Sequence, residues 1–76
     1  MARLYDENLI IESVYKYDSH IKLFDKITEN NFTYLCFEIP KNLVSYDLFN
    51  WLHMSMVQYE IFMNVYHEII VKIMVK

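Results

Sequence analysis

The chain has 76 residues and a mass of 9.3 kDa, with no glycine, one proline, a 55% hydrophobic share and a formal net charge of −3. Single domains commonly run to about 100–150 residues, so one domain spanning residues 1–76 is expected, and the apolar share excludes an intrinsically disordered chain. Seven Lys and Arg against ten Asp and Glu lack the positive footprint that a phosphate backbone requires, so direct nucleic-acid binding is not expected.

Cys36 is the single cysteine, so neither an intramolecular disulfide nor a Cys/His zinc pattern is expected. Asp6 and Glu7 stand where the apolar stretch of an export signal would begin, and Glu60 and Glu68 interrupt the most hydrophobic third of the chain. Neither export nor a membrane span is expected, which places the chain in the cytoplasm. The composition leans to Ile, Lys, Asn, Tyr and Phe, residues encoded by A and T, with one Ala and one Arg. Such a bias fits a phage, a virus or a low-GC bacterium and carries no chemistry of its own.

In chain order, residues 8–17 alternate Leu9, Ile11, Ser13, Tyr15 and Tyr17 against Ile10, Glu12, Val14 and Lys16, a pattern that predicts a first strand with neighbours on both faces. Tyr17-Asp18-Ser19-His20 carries turn chemistry that would close a hairpin. Residues 21–27 are ambiguous: Ile21, Leu23 and Ile27 fit a period of two, broken by Asp25, while Ile21, Phe24 and Ile27 fit a helical stripe; the strand is preferred. Thr28-Glu29-Asn30-Asn31 reads as a turn. Phe32 to Ile39 is the clearest β run, and Pro40 ends it because proline cannot donate to a ladder.

Beyond Pro40, residues Leu48, Leu52, Ser55, Tyr59, Phe62, Tyr66, Ile69 and Ile73 recur with spacings of 4, 3, 4, 3, 4, 3 and 4, which predicts a helical seam. Ser45 or Asn42 would cap it, with Asp47 in the first turn and Lys72 and Lys76 at the far end, as the helix dipole favours. Unbroken over residues 45–76, the helix would be roughly 48 Å long at 1.5 Å per residue. Residues 69–75 are rich in β-branched side chains and form the alternative, a terminal strand that would stop the helix near residues 64–67. The expected fold is therefore α+β: a small antiparallel sheet of about three N-terminal strands packed on a long C-terminal amphipathic helix.

The seam is flanked by Phe49, Met56, Met63 and Ile70 on one side and by Trp51, Met54, Ile61 and Val65 on the other, so such a helix is apolar around most of its circumference. A sheet covers only one side of it, and the rest needs a partner or is merely core edge. The residues expected at an interface are Phe49, Trp51, Met54, Met56, Tyr59, Phe62, Met63 and Tyr66: unbranched thioethers repack easily, and aromatics favour interface centres.

Candidate chemistry is sparse. His53, Glu60, Asn64 and His67 would share one helical stripe, but His53 and Glu60 would stand about 10.5 Å apart, too far to share an ion. Without glycine, a phosphate-cradling loop is hard to build. Cys36, between Leu35 and Phe37 with no adjacent cation, reads as a small buried hydrophobe. Phe32, Tyr34 and Phe37 are the residue types that stack bases on a sheet, yet acids outnumber bases around them, so core packing is the expected job.

No catalytic residue, metal or cofactor is expected. The function expected is a small non-enzymatic protein-interaction module, homodimeric, of the kind a phage or virus uses to bind and inhibit a host protein in the host cytoplasm. The alternatives are a structural subunit that self-associates through the C-terminal helix, and a small metal-dependent enzyme built on His53, Glu60 and His67.

Overall fold

The computed structural model describes residues 4–76. Helix α1, Glu7–Tyr17, opens the fold, followed by strands β1, Lys22–Glu29, and β2, Phe32–Ile39. A single 3-10 turn over Lys41–Leu43 leads into helix α2, Tyr46–Met54, and strands β3, Tyr59–Met63, and β4, Ile69–Val75, complete it. The strands form one antiparallel sheet in the order β1-β2-β4-β3. The order helix, strand, strand thus occurs twice, each unit giving one central strand (β2, β4) and one edge strand (β1, β3).

The fold is α+β with four strands and two short helices, and two of the sequence expectations are corrected. Residues 8–17 are helix α1, not a first strand. Asp6 caps it, its side chain accepting from the Asn8 amide at 3.1 Å, and Ile10 and Val14, four residues apart, bury one stripe. The turn at Asp18 and His20 exists, but it joins α1 to β1: Asp18 Oδ1 accepts from the His20 amide at 2.8 Å and lies 2.9 Å from His20 Nδ1. These bonds hold the Asp18 carboxyl below its ordinary value, the backbone bond contributing most.

The long C-terminal helix does not exist. The longest dimension of the molecule is 32 Å, shorter than that helix would be. Of the two expected caps, Ser45 and Asn42, Ser45 caps α2, accepting from the Leu48 amide at 3.4 Å. The helix ends after nine residues, where the Ser55 hydroxyl donates back to the Trp51 carbonyl at 2.7 Å and Met56 turns left-handed at φ 58°. The heptad-like seam is the overlap of two periods: Leu48 and Leu52 face inward from a helix, while Tyr59, Ile69 and Ile73 face inward from strands. The strand alternative for residues 69–75 is the observed one.

Both helices cover one face of the sheet. There Leu35, Phe37 and Ile39 of β2 meet Val71, Ile73 and Val75 of β4, under Ile10 and Val14 of α1 and Leu48 and Leu52 of α2. Side chains alternate across a strand, so the even-numbered residues of β2 and β4 point to the opposite, uncovered face. Fully burying one such aliphatic or aromatic side chain contributes roughly 1.5–3 kcal/mol. Tyr17 and Trp51 stack with ring centroids 4.6 Å apart, tying the end of α1 to α2.

A chain without glycine must make its tight turns from other residues, and positive φ falls on Asn30, Asn31, Met56 and His67. Asn30 and Asn31 form the two-residue loop between β1 and β2, with Glu29 paired to Phe32 across it. The β3–β4 connection is held by Asn64, whose Oδ1 accepts from the Tyr66 and Glu68 amides at 2.9 and 3.0 Å. Its Nδ2 donates to Glu68 Oε1 at 3.0 Å, and His67 supplies the left-handed residue.

Candidate functional site

The eight residues expected at an interface divide into two groups. Phe49, Trp51 and Tyr59 pack against the core, and Trp51 is engaged by Tyr17, so they hold the fold together. Met54, Met56, Phe62, Met63 and Tyr66 are exposed. They lie at the end of α2, in the turn after it, along β3 and in the loop beyond, with Ile61 and Val65 exposed among them. These five are therefore displayed at the end of α2, along the edge strand β3 and on its flanks, while Leu9, Tyr15, Phe24, Phe32 and Tyr46 are exposed elsewhere on the helices and on β1 and β2. In the sequence, the signal for β3 was the β-branched and aromatic density of residues 57–62, which the helical spacing masked.

The hydrogen bonding of β3 has a definite phase. The Met74 amide donates to the Gln58 carbonyl at 2.9 Å, and the Asn64 amide donates to the Glu68 carbonyl at 3.0 Å. Both pairs belong to the register that pairs Glu60 with Lys72 and Phe62 with Ile70. Hydrogen-bonded and non-hydrogen-bonded pairs alternate along an antiparallel ladder, so Glu60 and Phe62 turn their backbone groups to β4. Tyr59, Ile61 and Met63 turn theirs outward, and among the described residues no strand pairs with that edge. Ile61, Phe62 and Met63 are 39%, 44% and 57% exposed.

The opposite edge differs. The register of β1 is interrupted between Leu23 and Asp25, where Phe24 is exposed, and the strand carries four charges, Lys22, Asp25, Lys26 and Glu29. Lys26 is tied to Glu7 of α1 at 2.7 Å. A bulge and a row of charges are the devices that keep sheet edges from pairing. In its regular ladder β3 has no bulge and one charge, Glu60.

The uncovered face carries Ile27, Phe32, Tyr34, Phe62 and Met74 around Lys72, whose Nζ lies 4.4 Å from the Tyr34 ring centroid and 3.9 Å from Glu29. Phe37 is in the core, whereas Phe32 and Tyr34 are on this other face, which corrects the expectation that all three pack the core. Asp25, Glu29, Glu38 and Glu60 outnumber Lys22 and Lys72 there. Cys36 is buried, and burial first, then the Asp25 charge, pushes its thiol up, away from the reactive thiolate. Hydrogen bonding to Glu68 holds Glu38 above its ordinary value, and the same contact holds Glu68 below.

The stripe of His53, Glu60, Asn64 and His67 is dispersed by the fold: one is in α2, one in β3, and two in the β3–β4 loop. Among the described residues no group of three or more His, Cys, Asp or Glu is placed to hold a metal ion. A cleft of about 260 Å³ opens between the helices, lined among others by Tyr5, Leu9, Ser13, Val14, Trp51 and Val57. The Tyr5 hydroxyl donates to the Ser55 carbonyl at 3.3 Å. Among the described residues no carboxylate, imidazole or amine lines this cleft. No helix among the described residues is long and apolar enough to cross a membrane.

Comparison with protein-family models, with curated proteins and with solved structures yields no match.

Proposed function

We propose that this chain is a non-enzymatic protein-interaction module that works by strand addition, taking up an extended protein segment on the free edge of β3. The observation that carries this reading is the asymmetry of the two sheet edges. β1 is bulged and charged, whereas β3 offers the outward N–H and C=O groups of Tyr59, Ile61 and Met63 beside exposed Ile61, Phe62 and Met63. Main-chain hydrogen bonds supply affinity in this mode, and alternate side chains supply specificity. The mode needs no catalytic residue.

The test uses Ile61→Pro. The Ile61 amide points away from β4, so proline there removes an outward donor while the ladder bonds of Glu60 and Phe62 remain. Extended peptides selected from a displayed random library against the native chain are expected to bind it and to lose the Ile61→Pro variant. Selected peptides that bind both equally contradict strand addition at β3.

A further inference from the structure

We infer that the strand added to β3 is β3 of a second copy, in an antiparallel register centred on Ile61, so that two four-stranded sheets become one sheet of eight strands. This inference rests on the strand-addition reading and names its partner. The argument begins with the phase of the edge. An antiparallel strand pair related by a two-fold axis matches residue i with its symmetry mate about the centre. With Ile61 at the centre, Tyr59 faces the partner's Met63, Ile61 faces the partner's Ile61, and Met63 faces the partner's Tyr59. These three residues are the ones whose backbone groups point outward. All three pairs are then of the hydrogen-bonded type, for roughly six inter-chain bonds. A shift of the centre to Glu60 or Phe62 leaves outward groups unmatched.

Side chains agree with this register. On the helix-covered face, Ile61 meets its own copy between the Tyr59 and Met63 pairs, all apolar or aromatic contacts. On the uncovered face, Glu60 stands opposite the partner's Phe62, so the one charge of β3 does not meet its like. The axis is perpendicular to the sheet, which leaves both pairs of helices on one side.

Closure supports a second copy over an endless array. Antiparallel pairing of β3 with β3 is isologous: it consumes the unguarded edge of both chains and leaves β1 at each end. Those ends are the bulged, charged edges, so growth stops at two copies. A short seam of this kind lies at the small end of specific interfaces, so the dimer is expected to form and dissociate with concentration.

Sedimentation equilibrium of the full chain across micromolar concentrations tests the inference. The native protein is expected to move from 9.3 kDa towards twice that mass as concentration rises. Ile61→Pro is expected to remain at 9.3 kDa with an unchanged far-UV spectrum. Because proline can disturb a strand, Ile61→Lys is the second variant: it keeps the backbone and places like charges opposite, and it should raise the dimer dissociation constant at least about tenfold. A native chain that stays monomeric at its solubility limit overturns self-pairing. The peptide selection with Ile61→Pro then decides separately whether β3 accepts any strand. A dimer that persists in both variants puts the seam elsewhere and overturns the inference.

Discussion

The Met74 amide donates to the Gln58 carbonyl at 2.9 Å, and this bond sets the direction of every backbone group in β3. Gln58 begins the same even-numbered series as Glu60 and Phe62, so the odd-numbered residues face out. A one-residue change of phase would have turned the Ile61 backbone inward and left the edge centred elsewhere. The function proposed for this chain follows from that phase and from the absence of a bulge or proline in β3.

Met56 carries the end of α2 in a left-handed conformation, φ 58°, that costs a non-glycine residue roughly 1 kcal/mol. Met56→Gly removes that cost at an exposed position and is expected to raise stability by about 0.5–1 kcal/mol in urea unfolding, the gain being reduced by glycine's extra freedom in the unfolded chain. Unchanged or lower stability would mean that the Met56 side chain contributes packing that offsets the strain.

The residues that end the helices also explain what could be read from the sequence. β2 was legible because Phe32 to Ile39 is dense in strand formers and Pro40 stops it, and the Ser45 cap was legible because hydroxyls before an apolar stripe satisfy the first amides. Of the turn expected over residues 28–31, only Asn30 and Asn31 turn, because asparagine tolerates positive φ, while Thr28 and Glu29 extend β1. Helix α1 was not legible, because residues 8–17 satisfy both periods: Leu9 and Ile11 suggest alternation, while Ile10 and Val14 form the stripe that is actually buried. The Asp6 cap was the deciding signal. Met56 gives no sign in its chemistry that the chain reverses there, so a seam of 4 and 3 spacings ran on through it. The residues expected at an interface follow the same rule. Met54, Met56, Phe62, Met63 and Tyr66 were recognisable as apolar surplus, but the face that displays them depends on strand phase, which residue types do not encode.

Trp51, one of the residues expected at an interface, stacks on Tyr17 with ring centroids 4.6 Å apart. Trp51→Ala is therefore expected to lower stability by about 2–4 kcal/mol in urea unfolding, through lost packing and the lost aromatic pair. Trp51→Phe, which keeps a ring against Tyr17, should cost less than half of that. Equal costs for the two would show that the stack contributes little.

The Glu38 and Glu68 pair gives stability a defined pH dependence. Glu38 binds its proton more tightly in the fold, so its contribution is present below the ordinary glutamate value of 4.5 and is lost as pH rises through its raised folded value. Glu68 is held below 4.5, so its contribution is present above that value and is lost as pH falls through its lowered folded value. Together they favour the state with one shared proton, around pH 4.5. Glu38→Gln keeps a donor for Glu68 and removes the upper loss. The melting temperature of the variant relative to the native chain is expected to rise from about pH 4.5 towards neutrality in scanning calorimetry. A difference between the two that does not change with pH would show that the carboxyls do not interact.

Amide hydrogen exchange across β3, measured residue by residue in dilute and in concentrated protein, tests the central claim most directly. In dilute solution the Glu60 and Phe62 amides are expected to be protected by β4 while those of Tyr59, Ile61 and Met63 exchange freely. On concentration the Tyr59, Ile61 and Met63 amides are expected to become protected together, as each finds an acceptor on the second copy. Amides of Tyr59, Ile61 and Met63 that exchange at the same fast rate in both samples would contradict pairing at this edge.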